Sequence, residues 1–382
     1  MGTVVTASAT GWKWYIVSAR KCACAEESST VSGASSKSGC EEPVFPSDAE
    51  KNSMAEFALA QVLRNRKFRM GASLLVSAAL LWLALRVVDL DDAVRSLQSA
   101  HLGWIAVALA LYWLELAVRI GRWHLMLGSI GRLRIRAVWT AFIVGYAANN
   151  VLPARMGELL RADLIGRTGA IARLAALGTI VFERLLDMIA VTLCALFGLA
   201  EVLDSSGSGT AVAQGMAVSI ALIAGTVLAI FLLWFIRSGD LARFPRAKAW
   251  IEALHAGLAP TRRPRLLVST LLLSALIWSI NGGVVWAIIR AVGLQIGVAE
   301  ILVLVGIGGI AAAIPSAPAS LGTLQFAFVA GFSLLHLPVT SGFLAAFLIQ
   351  LFLFGSVSIV GWATYATSIV RGGSAPTASS SR

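Results

Sequence analysis

The chain has 382 residues, of which 58% are apolar and only 13% are charged, and its mean hydropathy is +0.80. A soluble domain has about 45–50% apolar and about 25% charged residues, so this composition excludes an ordinary soluble fold. The 31 Lys and Arg against 20 Asp and Glu gather in a few loops beside apolar segments, a pattern that orients membrane helices and argues against a nucleic-acid partner.

Residues 1–60 differ in kind from the rest of the chain. The stretch from Glu26 to Ser53 is rich in Ser, Gly and acidic residues and has no periodicity, so we predict a disordered tail, and Met54 is a candidate translation start. A transmembrane domain is predicted over 61–371 and a disordered tail over 372–382. The four cysteines have no metal-binding spacing, and we predict neither a metal nor a cofactor.

Eight apolar blocks follow the tail, and several reach the ~20 residues that a spanning helix needs. This pattern predicts an all-α, polytopic integral membrane protein. The blocks cover 70–88, 103–118, 138–153, 174–200, 212–236, 266–290, 300–337 and 342–369.

Charge at the block ends predicts how the chain threads the membrane. Basic residues precede the first block and Asp89, Asp91 and Asp92 follow it, so the first helix runs outward from the cytoplasm. The second block returns, because basic residues crowd the loop that we expect after residue 118. These are Arg119, Arg122, Arg132, Arg134 and Arg136.

The block 138–153 is interrupted by polar residues, Pro153 and Gly157. A full crossing here would put the following basic loops outside, against the positive-inside rule. A re-entrant hairpin from the cytoplasm, turning between Asn149 and Gly157, keeps those loops inside. Pro153 and Gly157 are expected to break the helix at the turn.

A second interruption lies in the block 300–337, where Pro315, Pro318 and Gly322 precede Gln325. A hairpin entering from outside fits the topology, although two full crossings reach the same end point. The prediction is therefore about six full transmembrane helices plus two oppositely oriented re-entrant hairpins. Such an inverted repeat is typical of transporters, and both termini are expected in the cytoplasm.

Ionisable residues mark the candidate site. Glu183, Arg184 and Asp187 lie within an apolar helix, where unpaired charges cost ~2.5–3.5 kcal/mol each on insertion scales. They form either a structural salt bridge with Arg155 or Arg161 or a direct ligand or proton site. Both alternatives remain open on the sequence.

The first hairpin carries Asn150, Arg155, Glu158 and Arg161. An arginine matches phosphate geometry, so Arg155 or Arg161 can hold a phosphate-bearing headgroup. Alternatively, Glu158 caps its own helix, Arg155 extends to the interface, and Asn150 satisfies freed backbone. The second hairpin is neutral, with only hydroxyl and amide side chains, and no catalytic residue is predicted.

In order along the chain, Asn150-Val-Leu-Pro-Ala-Arg-Met-Gly-Glu158, Arg161, Glu183-Arg184-Leu-Leu-Asp187 and the Pro/Gly turn at 315–322 resemble the lysylphosphatidylglycerol synthase transmembrane, or flippase-like, family. The resemblance covers about residues 65–370. It implies a bacterial or archaeal inner-membrane protein, with relatives that move or handle modified phospholipids, hopanoids or polyprenyl-linked lipids. It carries over Arg155, Glu158, Arg161, Glu183, Arg184 and Asp187 as the polar site.

Three functions follow from the pattern and the resemblance. The leading hypothesis is a lipid translocase for an anionic or aminoacylated phospholipid. The full synthases append a soluble aminoacyl-transferase domain, and no such domain is expected in this sequence. An intramembrane lipid-modifying enzyme and a non-catalytic partner of a lipid-synthesis enzyme are the alternatives.

Overall fold

The computed structural model describes residues 2–8, 11–17, 66–152, 155–206, 210–235, 252, 255–258, 263–313 and 318–372. It divides into two units, Met1–Ala60 and Gln61–Arg382. The first unit contains an antiparallel pair, β1 (Gly2–Ser8) and β2 (Gly11–Val17). Both strands lie within the predicted tail 1–60, and their β-branched and aromatic residues favour strands. Glu26–Ser53 lies outside the described residues.

The second unit is helical throughout its described part, as predicted. Its helices are α1 (Arg66–Leu85), α2 (Leu90–Gln98), α3 (Leu102–Leu127), α4 (Ile135–Val151), α5 (Met156–Gly166), α6 (Arg173–Ser206), α7 (Thr210–Phe235), α8 (Pro264–Ala291), α9 (Val298–Ala313), α10 (Thr323–Leu334), α11 (Val339–Leu348) and α12 (Gly355–Gly372). A π-helical turn, Ile349–Phe354, joins α11 to α12 without a break.

Within the described part of the chain, four helical segments are long and apolar enough to cross a membrane: Leu102–Leu127, Arg173–Val202, Pro264–Ala291 and Val339–Ser368. The helices α1 and α7 have 20 and 26 residues, and at 1.5 Å per residue they also match the ~30 Å hydrocarbon core. Six long helical segments among the described residues agree with the predicted number of spanning helices.

Two shorter helix pairs form hairpins at the predicted interruptions. The helix α4 packs against α5, and α9 packs against α10. With 17 and 11 residues in the first pair and 16 and 12 in the second, the members α5 and α10 are too short to span the core alone. Pro153 and Pro315 lie outside the described residues.

The two halves of the bundle, α3–α6 and α8–α12, pack in a reciprocal manner. The helix α3 packs along α8. In each half, the first helix of the hairpin packs against the last helix of the other half: α9 contacts α6, and α4 contacts α12. The α3–α8 pair is antiparallel, since the amide of His101 donates to the carbonyl of Ala291. Because these equivalent helices run antiparallel, the axis that relates the two halves is a two-fold axis perpendicular to the helices. This arrangement is an inverted repeat.

Glycines allow the close contacts between the halves. A Cβ at Gly306 of α9 would lie 2.5 Å from Ala195 Cβ of α6, and one at Gly361 of α12 would clash with Ala147 Cβ of α4. Real Cβ atoms do not approach so closely. The absence of a side chain therefore sets the helix separation in both reciprocal contacts.

Candidate functional site

The first hairpin turns on a left-handed residue. Arg155, immediately before α5, has φ 55° and ψ 35°. Gly157 has a different role from the predicted break, because it lies inside the first turn of α5. A Cβ there would clash with the carbonyl oxygen of Gly145, so Gly157 allows α5 to pack directly on α4.

The second hairpin turns through several left-handed residues. Pro318 begins a short 3₁₀ turn to Ser320, and Ala319 and Ser320 have φ of 53° and 54°. Gly322, with φ 79°, precedes α10, and its amide donates to Oε1 of Gln325. The predicted turn residues Pro318, Gly322 and Gln325 thus lie at the observed turn.

Buried ion pairs connect the first hairpin to the helices on either side. Arg161 on α5 donates to Glu183 on α6 over 2.7 Å, and Arg122 on α3 donates to Glu183 over 3.1 Å and to Asp187 over 2.9 Å. Arg119 donates to Asp187 over 3.2 Å. Three helices are therefore joined through two carboxylates inside an apolar bundle.

The ion pairs continue from this core to the hairpin turn. Arg184 contacts Asp187 at 3.4 Å and Glu158 at 3.0 Å, and Glu158 contacts Arg155 at 3.5 Å. Glu115 completes the network through Arg119, at 2.8 Å. Among the described residues, the network contains nine charged side chains: Glu115, Arg119, Arg122, Arg155, Glu158, Arg161, Glu183, Arg184 and Asp187.

Arg161 is held by aromatic rings as well as by its carboxylate. Its guanidinium carbon lies 3.7 Å from the ring centre of Trp123 and 4.2 Å from that of Phe142. The side chain is 1% exposed. Stacking on two rings accounts for the absence of a hydrogen-bond partner at Nε and Nη1.

A cavity of about 290 Å³ lies beside this network. Of the predicted site residues, Asn150, Arg155, Glu158, Arg184 and Asp187 line it, whereas Arg161 and Glu183 are buried and do not line it. The opposite wall is mostly apolar and includes both sides of the second hairpin. Its members include Leu304, Gly308, Ala312, Ala313, Ala319, Ser320, Leu324 and Phe328.

The two asparagines before the first turn have different surroundings. Asn150 donates from Nδ2 to the carbonyl of Phe354 and to the hydroxyl of Ser358, each over 3.0 Å. It therefore ties the first hairpin to α12. Asn149 also lines the cavity, and its buried Oδ1 has no hydrogen-bond partner. The sequence analysis selected Asn150 as a site residue, but the acceptor without a partner belongs to Asn149.

Several residues of the site were missed from the sequence. Arg119 and Arg122 were assigned to a loop, but α3 continues to Leu127 and buries both of them, so that assignment is wrong. Their i, i+3 and i, i+4 spacing from each other and from Glu115 was the available signal. On α8, Asn281 donates to Glu115 over 3.0 Å, Ser274 accepts from Arg122 over 2.7 Å, and Trp278 lines the cavity.

The arrangement is a cavity of about 290 Å³ whose charged lining residues all come from the first half and whose lining from the second half is mostly apolar, between two helical hairpins of an inverted repeat. The family model described as the lysylphosphatidylglycerol synthase TM region matches residues 70–361. The chain belongs to that family. No curated protein matches the sequence.

Membership in the lysylphosphatidylglycerol synthase TM family agrees with the resemblance seen in the motifs of the hairpin and of α6. The matched segment includes both hairpins and the whole ion-pair network. The protein is a multi-pass membrane protein with a membrane lipid-related function.

Proposed function

We propose that this protein is a lipid translocase that moves the polar headgroup of a phospholipid, or of another lipid, across the bacterial inner membrane. The observation that carries this proposal is the cavity between the two hairpins. Broken helices facing one another within an inverted repeat are the architecture through which secondary transporters expose one site to alternate faces.

The size of the cavity fits a headgroup and not a whole lipid. Its volume of about 290 Å³ is just below the ~300–1,000 Å³ typical of small-molecule sites. Two acyl chains do not fit in that space. The chains therefore stay in the bilayer while the headgroup crosses through the protein.

The charge of the network favours an anionic group. Five arginines face four carboxylates, and the neighbouring segments 153–154 and 314–317 contain no ionisable side chain. Arg155 is the most exposed member at 31% and has only a 3.5 Å contact to Glu158. Its guanidinium is free to turn toward a phosphate, which it can bind through two parallel hydrogen bonds.

Asn149 complements Arg155 at the same cavity. Both residues line it, and the Oδ1 of Asn149 is buried near Gly157 without a hydrogen-bond partner. The first hairpin therefore contributes an amide and a cation to the lining.

The direction of the first hairpin follows from charge. Arg132 and Arg134 precede α4, Arg136 lies in its first turn, and Arg167 and Arg173 follow α5, so both ends of this hairpin are basic. By the positive-inside rule this end faces the cytoplasm, and the inverted repeat then turns the second hairpin toward the outer face.

The test is a flip assay with purified full-length protein in liposomes. Chain-labelled fluorescent phosphatidylglycerol, phosphatidylcholine and phosphatidic acid are present in separate preparations, and dithionite reduces only the dye in the outer leaflet. We expect protein to raise the reducible fraction above one half for phosphatidylglycerol, whereas protein-free vesicles stay near one half.

Two results would contradict the proposal. If none of the three lipids moves faster than in protein-free vesicles, translocation is excluded. A new lipid species in extracts of the same vesicles, without movement, would instead favour the intramembrane lipid-modifying enzyme.

A further inference from the structure

The turn of the second hairpin holds an unfavourable backbone conformation. Ala319 and Ser320 have φ of 53° and 54°, values that are costly for residues with a Cβ. Two such residues in succession persist only where surrounding contacts hold them. The contacts that hold this turn therefore decide whether it stays closed.

Two buried glutamine amides supply those contacts. Gln350 donates from Nε2 to the carbonyls of Ala319 and Ser320, over 3.1 and 3.2 Å. Its Oε1 accepts from Nε2 of Gln325, whose own Oε1 accepts from the amide of Gly322 over 2.8 Å. The pair Gln325–Gln350, hereafter the amide latch, thus connects both ends of the turn to the helix behind it.

The amide latch borders the cavity. Gln350 lies in the π-helical turn Ile349–Phe354, a feature that occurs often at functional sites. Ile349, Leu353 and Phe354 of that turn line the cavity, as do Ala319 and Ser320 of the hairpin. Any movement of the latched turn therefore changes the wall opposite the ion-pair network.

The first half makes the same connection with charged groups. There Arg161, on the second helix of the hairpin, joins Glu183 on the following long helix, as Gln325 joins Gln350 in the second half. Separating a buried ion pair leaves two charges without partners, whereas separating two amides leaves only neutral groups. The second hairpin is therefore the easier one to move.

We propose that Gln325 and Gln350 are positioning residues that latch the turn Pro318–Gly322, and that this turn is the moving gate of the cavity while the first hairpin stays fixed. The inference deepens the proposed function, on which it rests. The two halves of the inverted repeat therefore have different roles. The charged half holds the headgroup, and the neutral half opens.

The test measures exposure of the turn without any lipid movement. In full-length protein in which Cys22, Cys24, Cys40 and Cys194 are replaced by Ser or Ala, Ser320→Cys reports on the gate and Asn149→Cys on the first hairpin. Labelling rates with a membrane-impermeant maleimide are measured in proteoliposomes. They are compared with and without Gln350→Leu, and with the double variant Gln325→Leu/Gln350→Leu.

We expect both latch variants to raise the labelling rate of Ser320→Cys about tenfold and to change that of Asn149→Cys less than twofold. Gln98→Leu, the same exchange at an exposed residue of α2, is the matched control and should change neither rate. The double variant removes both amides together, so it leaves no unpaired glutamine that would by itself unfold the protein.

If the labelling rate of Ser320→Cys is unchanged in both latch variants, the proposal that this turn is the gate is overturned. An equal rise at Asn149→Cys would also overturn it, since the substitution would then loosen the whole bundle. If Ser320→Cys labelling rises selectively but the wild-type protein moves no lipid, the gate stands and the proposed function fails.

Discussion

Arg161 donates from Nη2 to Oε2 of Glu183 over 2.7 Å, and both side chains are buried. This contact fixes the first hairpin to α6. Glu183 also accepts from Arg122 of α3, so one carboxylate serves two arginines on different helices. The first hairpin is therefore held by charge and not only by apolar packing.

Loss of the Glu183 charge should destabilise the protein strongly. In Glu183→Gln, Arg161 and Arg122 keep their positions but lose their shared counter-charge, and removal of one partner from a buried pair costs about 3–5 kcal/mol. Thermal unfolding in detergent should occur at a markedly lower temperature. The control Glu201→Gln, at an exposed residue of the same helix, should leave the unfolding temperature unchanged. Equal unfolding temperatures for the two variants would contradict the role of this ion pair.

The glycine contacts between the halves give a second prediction. Gly306→Ala puts a methyl group 2.5 Å from Ala195 Cβ, so α9 and α6 must separate. Overpacking of this kind costs about 1–3 kcal/mol, and the unfolding temperature should fall. Gly121→Ala is the matched control, because a Cβ there meets nothing within 4 Å. Alanine at that helical position should stabilise by up to about 1 kcal/mol.

Filling the cavity should stop lipid movement without unfolding the protein. Ala312 lines the apolar wall, and a tryptophan at this position occupies space that the headgroup needs. We expect Ala312→Trp to slow lipid movement at least tenfold, which corresponds to an activation free energy about 1.4 kcal/mol higher. Ala110→Trp places the same side chain on the exposed face of α3 and should retain the wild-type rate. Comparable rates for both variants would mean that lipid takes another path.

Much of the fold could be predicted because the bilayer imposes simple rules. Apolar length predicted the helices, and charge at their ends predicted the first hairpin, since Arg132 and Arg173 at its two ends belong on one face. The reciprocal packing of α9 on α6 and α4 on α12 could not be predicted in the same way. It depends on contacts of Gly306 and Gly361, and a glycine in an apolar helix has no unique partner in sequence.

The site was predicted in part, for a similar reason. Glu183 and Asp187 stand out because charges inside an apolar helix need partners. Arg119 and Arg122 follow the last strongly apolar stretch of α3, so they look like the basic flank that orients a helix. Only the fold, which buries them against Asp187, reveals them as partners. Gln350 carries no charge and lies in an apolar run, and nothing local distinguishes it.

The most direct test of headgroup passage through this cavity concerns Arg155. Arg155→Gln keeps a polar side chain at the turn but removes the most exposed cation of the network. The control Arg95→Gln makes the same exchange outside the network, at a side chain that is 71% exposed. Fluorescent phosphatidylglycerol movement is measured for both variants and for the wild type, at matched folded yield. We expect at least a tenfold slower rate for Arg155→Gln and a wild-type rate for Arg95→Gln. A wild-type rate for well-folded Arg155→Gln would contradict it.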